Sequence, residues 1–250
     1  MTSARTVVQT KKGGEGTDGM VNGVVERAFG DPERVEPRMS WPDPAASAGD
    51  RMAPLQSRPE VDETDIARSH LYALLAGLLL RAPDAATLAQ LSAVQGTATP
   101  IGLAQIALAE AAAAASVADA QQEYFDLFIG VGRGELLPYA SYYLTGFLNE
   151  RPLARLRGDL RRLGLERAEG HREPEDHLGT LCEIMSGFAC GAFEASQDEE
   201  RQFFLDHIAP WAPRFFADLE MAKRAKLYAP VGRIGGLFMD IETEAFALDA

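Results

Sequence analysis

The stretch Thr64-Asp65-Ile66-Ala67-Arg68-Ser69-His70-Leu71-Tyr72-Ala73-Leu74-Leu75-Ala76-Gly77-Leu78-Leu79 decides the fold class. Thr64 is a candidate N-cap and Asp65 sets negative charge in the first turn. Ile66, Leu71, Leu74, Leu75, Leu78 and Leu79 then recur at helical spacing and give a broad apolar face. The same period continues downstream, punctuated by helix-opening signals. Pro83 opens a short helix to Ala93, Thr99-Pro100 an alanine-rich one, and Ser116-x-x-Asp119 a third. Pro138 leads into Tyr139–Leu148, and Pro152 opens Leu153–Leu163. Pro174 is read as opening a long helix to about Ala195. Two helices broken by Pro210 and Pro213 follow, and a last one runs from Val231 to about Ala247. No series of alternating β-branched strands interrupts them, so the predicted class is all-α, a single domain of about eight to ten helices.

Working outward toward the N-terminus, the pattern fails. Residues 1–63 hold 7 Gly and 6 Pro, and only Val21, Val24, Val25, Ala28 and Phe29 keep a helical spacing. Such a stretch cannot bury enough surface to offset its ordering entropy, and it is read as a disordered tail before a helical domain over 64–250. The whole chain has 250 residues, 46% hydrophobic, with 24 basic against 37 acidic side chains and a net charge of −13. That balance argues against phosphate-neutralising nucleic-acid binding and against docking on an anionic membrane. Cys182 and Cys190 are too few for a disulfide framework, and eight helical positions put them about 12 Å apart along the axis. Two buried thiols in a reducing compartment are expected. No secretory signal or membrane span is legible, which makes the cytoplasm the expected location.

Catalytic signatures fail one by one. Gly130-Val131-Gly132-Arg133-Gly134 follows a helix and lacks both the third-glycine spacing of a dinucleotide loop and the Lys-Ser/Thr of a Walker loop. The residues three before His70, His171, His177 and His207 are Ala67, Ala168, Pro174 and Phe204, so no Glu-x-x-His pair exists for a di-iron bundle. Neither a zinc-hydrolase helix nor a serine-hydrolase elbow occurs. With no catalytic residue, metal ligand or cofactor indicated, the chain reads as a binding protein.

Two segments stand out. Glu123-Tyr124-Phe125-Asp126-Leu127-Phe128 and Leu137-Pro138-Tyr139-Ala140-Ser141-Tyr142-Tyr143 place aromatics on either side of a glycine-rich turn. Tyrosines join apolar area to a hydroxyl and suit a groove for an extended peptide, as they equally suit the rim of a helix–helix core. Glu173-Pro174-Glu175-Asp176-His177-Leu178 reads as an acidic cap on the positive end of the following helix dipole. Gly179, Gly187 and Gly191, in a row with Glu183, allow another helix or a peptide to approach that helix closely.

These segments, in this order, resemble the TorD/DmsD/NarJ family of chaperones for molybdenum-containing redox enzymes. The match rests on Tyr124-x-x-Leu127-Phe128, Pro138-Tyr139-x-Ser141-x-Tyr143 and Glu173-Pro174-Glu175-Asp176-His177, and spans roughly 64–248. The resemblance implies two helical halves joined by a hinge and no enzymatic activity. It also implies a client-specific role: holding a molybdenum-containing oxidoreductase catalytic subunit, of formate dehydrogenase or S-/N-oxide reductase type, until its cofactor is inserted. The client's twin-arginine signal peptide would be the bound segment. Glu173, Glu175, Asp176 and Glu183 would receive its arginines through charge-assisted hydrogen bonds. Tyr124, Phe128, Pro138, Tyr139, Ser141, Tyr142 and Leu178 would floor the groove, with Pro174 and His177 at its hinge. Relatives exchange helical halves, so a monomer and a helix-swapped dimer are both compatible. The alternative is a small helical enzyme or metal-binding module using a cleft near His177.

Overall fold

The computed structural model describes residues 39–40, 61–168, 173–193 and 195–248. Ten α-helices account for most of these: α1 (Glu63–Leu80), α2 (Ala85–Ser92), α3 (Pro100–Ala114), α4 (Val117–Tyr124) and α5 (Ala140–Thr145), then α6 (Arg151–Arg162), α7 (Leu178–Cys190), α8 (Gln197–His207), α9 (Ala212–Glu220) and α10 (Tyr228–Leu248). One turn of π-helix, Phe125–Ile129, continues α4. The all-α expectation is met. The only strands among the described residues are β1 (Met39–Ser40) and β2 (Glu166–Arg167), a two-residue antiparallel pair with Met39 opposite Arg167. Apart from β1, the expected tail lies outside the described residues up to position 60.

Several helix starts fall where local chemistry places them. Thr99 accepts from the Gly102 amide with Pro100 behind it, Ser116 accepts from Asp119, and Ser196 and Glu199 form a reciprocal capping box. Others move. The cap of α1 is Asp62, not Thr64, because the Asp62 carboxylate reaches the Asp65 amide at 2.9 Å. Asp84 caps α2, so Pro83 stands just outside. Tyr139 precedes α5, which ends at Thr145 rather than Leu148 because Gly146 turns left-handed at φ +85°.

The largest change concerns α7. Pro174 does not open it; the helix begins at Leu178 and ends at Cys190, where Gly191 takes φ +78°. Pro174 instead starts a tight turn, with its carbonyl accepting from the His177 amide at 3.2 Å. His177 is the N-cap, its Nδ1 accepting from the Gly179 amide at 3.0 Å.

The core is continuous. α7 is buried along nearly its whole length and packs chiefly on α1, while α9 packs on α10 and α10 on α3. Tyr72, Phe204, Trp211, Phe215, Phe216 and Phe238 are fully buried, each stabilising by about 1.5–3 kcal/mol relative to exposure. The glycine row serves this packing: a Cβ on Gly179 would lie 2.5 Å from Leu80 Cγ, and one on Gly187 2.5 Å from a Phe193 ring carbon. A buried ionic knot ties α1, α8 and α10: Arg68 meets Glu242 at 2.8 Å and Glu200 at 2.6 Å, and Tyr72 donates to Glu242. Cys182 is buried, its thiol pushed well up by desolvation, whereas Cys190 is only half-buried, contrary to expectation. No single helix among the described residues is long and apolar enough to cross a membrane.

Candidate functional site

The Pro138–Ser141 and Glu173–Leu178 segments meet because each supplies backbone groups the other lacks. Leu178 donates its amide to the Pro138 carbonyl at 2.8 Å, and Ala140 to the Asp176 carbonyl at 3.0 Å. Tyr139 and His177 form an isolated antiparallel bridge, their rings edge-to-face at 5.0 Å. The Ser141 amide donates to Asp176 Oδ2 at 2.8 Å, and the Tyr139 hydroxyl to Glu173 Oε1 at 3.1 Å. Burial and then the Glu173 carboxylate push the Tyr139 phenol above its ordinary range, so it stays a donor. Thus Pro138, Tyr139, Ser141, Glu173, Pro174, Asp176 and His177 form one ledge.

The other predicted residues lie elsewhere around it. Tyr124 and Phe128 turn into an aromatic cluster with Tyr228, at centroid distances of 6.2 and 5.3 Å, and the Tyr124 hydroxyl donates to the Leu79 carbonyl. The Tyr142 ring lies under the Arg133 guanidinium at 5.6 Å. Glu183 is half-buried on the second turn of α7 and does not line the cavity described below.

The acidic cluster does not act as a helix cap. α7 carries no acidic residue in its first turn, because the chain enters it through His177. Glu175, 8% exposed, is held by Arg157 at 2.8 Å, with Arg167 at 3.7 Å. Arg167 also donates to the Glu173 carbonyl, which ties the β1–β2 ladder to the ledge. Asp176 is 1% exposed, and its Oδ1 has no hydrogen-bond partner among the described residues. Glu173 alone of the three remains exposed.

Behind the ledge is a cavity of about 300 Å³. Ala140, Leu144, Leu156, Leu181 and Pro152 make it largely apolar, and Arg151, Arg155, Asp176, Asp206, His207 and Thr145 complete it. Its histidine is therefore His207, not His177. His207 bonds Asp159 at 2.7 Å, and burial holds it below the ordinary imidazole value despite that partner. Sequence reading missed His207, Arg151, Arg155, Arg157 and Arg167. The available signal was α6 itself, Arg151-Pro152-Leu153-Ala154-Arg155-Leu156-Arg157, an arginine-rich amphipathic run in an acidic chain. Among the described residues no three His, Cys, Asp or Glu side chains converge to hold a metal.

Residues 95–217 match the family model described as nitrate reductase delta subunit. The chaperone protein TorD of Vibrio cholerae is 28% identical over 144 residues, 52% of this chain and 64% of that one. Over this stretch the chain is similar to the TorD/NarJ family. TorD of Vibrio vulnificus is 31% identical over 111 residues, 39% of this chain and 52% of its own length. The chain thus spans less than two thirds of the length of these curated relatives. A solved structure of a candidate redox enzyme maturation protein from Archaeoglobus fulgidus aligns with TM-score 0.47 and 21% identity, covering 69% of this chain and 93% of that one. In this chain the two quoted motifs, 35 residues apart at Ser141 and Asp176, build a single wall.

Proposed function

We propose that this chain is a non-enzymatic cytoplasmic chaperone that holds the catalytic subunit of a molybdenum-containing oxidoreductase while its cofactor is inserted. The bound segment is the client's twin-arginine signal peptide, from an enzyme of formate dehydrogenase or S-/N-oxide reductase type. The family-model match supports the class, and similar proteins are named chaperone protein TorD. One observation carries the site: the ledge presents exposed Glu173 beside the Tyr139 ring. A twin-arginine leader has a cationic start and an apolar middle. Glu173 suits the first through a charge-assisted hydrogen bond. Tyr139 and Tyr142 suit the second. Glu175 and Asp176 serve by holding the ledge in shape, since both carboxylates are buried against protein partners.

Fluorescence anisotropy with a labelled twin-arginine leader peptide tests this reading. Binding should exceed that of a twin-glutamine peptide and weaken with salt, and Glu173→Gln should reduce it while leaving thermal stability unchanged. No preference for the arginines would overturn it.

A further inference from the structure

A second docking surface adjoins the ledge, and its charge is opposite. α6 carries five arginines on a chain of net charge −13. Three are committed: Arg157 to Glu175, Arg161 to the Arg157 carbonyl, and Arg162 to Asp159. Arg151 and Arg155 make no ion pair or hydrogen bond among the described residues; both are exposed and both line the mouth of the cavity. One helical turn separates them, about 6 Å along the axis.

Next to these two cations stands an apolar ridge. Phe147 is 70% exposed, with Leu144 and Leu148 flanking it at 45% and 43%. The loop that presents it is built. Gly146 at φ +85° and Asn149 at φ +60° set the turn, Thr145 Oγ1 accepts from the Phe147 amide, and the Glu150 amide donates to Ser141 Oγ. Three large apolar side chains held out to water beside a 300 Å³ cavity are an unfilled contact surface. Asp176 is among the lining residues, and its buried Oδ1 has no hydrogen-bond partner among the described residues.

A cationic leader does not fit this mouth, because two unpaired guanidiniums face it. Asp206, also in the lining, is half-buried and accepts from Gln202 at 2.8 Å, whereas both guanidiniums are exposed. An extended peptide with carboxylates on alternate residues fits, since alternate side chains lie about 6.6 Å apart on one face. We infer that the Arg151–Arg155 edge, the Leu144–Leu148 ridge and the cavity form a docking surface for an acidic segment of the client that carries an apolar anchor residue. This surface is separate from the leader site and does not depend on that reading.

The probe is a labelled twelve-residue peptide with Glu-x-Glu followed by a phenylalanine two positions on, titrated by anisotropy into the full chain. Its comparators are the same peptide with Lys-x-Lys and with the phenylalanine replaced by serine. The acidic peptide should bind about tenfold tighter than either. Arg151→Glu with Arg155→Glu should abolish that preference, and Phe147→Ser should weaken binding. Arg162→Glu, away from the cavity, should not. Equal affinity for the acidic and basic peptides, or no effect of the double charge reversal, overturns the proposal. A leader peptide that fails to bind while the acidic one binds overturns only the leader reading; the reverse overturns only this one.

Discussion

The Ser141 amide and the Asp176 carboxylate meet at 2.8 Å across 35 positions of sequence. Ser141 is the second residue of α5, whose N-terminus has no side-chain cap of its own, so Asp176 supplies the missing acceptor from another element. Asp176→Ala leaves a fully buried amide unpaired and should cost about 1–3 kcal/mol. Asp176→Asn keeps an acceptor in place and should cost less than half as much. Urea unfolding of both variants measures the difference; equal losses would show that charge, not acceptance, matters there.

Arg68 and Glu242 are joined at two points, Nε to Oε1 at 2.8 Å and a terminal guanidinium nitrogen to Oε2 at 2.9 Å. Glu242 is 1% exposed, and Glu200 beside it has its carboxyl pushed up by desolvation. Removing the cation with Arg68→Met strands these carboxylates and should cost about 3–5 kcal/mol. Chemical denaturation checks this, and a loss under about 1 kcal/mol would sink the account.

Glycines on two helices should respond in opposite directions. Gly179→Ala and Gly187→Ala press a methyl into Leu80 and Phe193, which should destabilise by about 1–3 kcal/mol each. Gly77→Ala, within α1, meets nothing within 4 Å and should stabilise by about 0.5–1 kcal/mol. Thermal melts of the three single variants decide it by sign alone.

His207 sets a pH dependence. Burial lowers its folded pKa, so as pH falls below the ordinary imidazole value of about 6.5 the unfolded chain takes the proton first. Its contribution to stability is present above that value and is lost as pH falls through the lower folded value. Melting temperature should therefore drop between pH 7.5 and pH 5, and less so in His207→Gln. Parallel curves for the two proteins would refute a role for this histidine.

What the chain dictates by itself is local. Apolar residues at helical spacing, Thr99 before Pro100, Ser116 before Asp119 and the breaks at Pro210 and Pro213 fixed the class and most element starts, because sterics and capping act within about one turn. The two motif segments were also visible as sequence. Their roles were not. Pro174 looks like a first helical residue, yet it opens a turn, because the His177 side chain satisfies the Gly179 amide two residues beyond it.

Only tertiary structure decided which acids stay exposed. Glu175 is taken by Arg157, 18 residues away, Asp176 by an amide 35 residues away, and Glu173 keeps its exposure. The same contacts left Arg151 and Arg155 unpaired at the mouth of a cavity drawn from four helices. Net charge is a sum that sequence supplies. The charge a partner meets is what remains after long-range pairing, and that pairing exists only once the helices are packed.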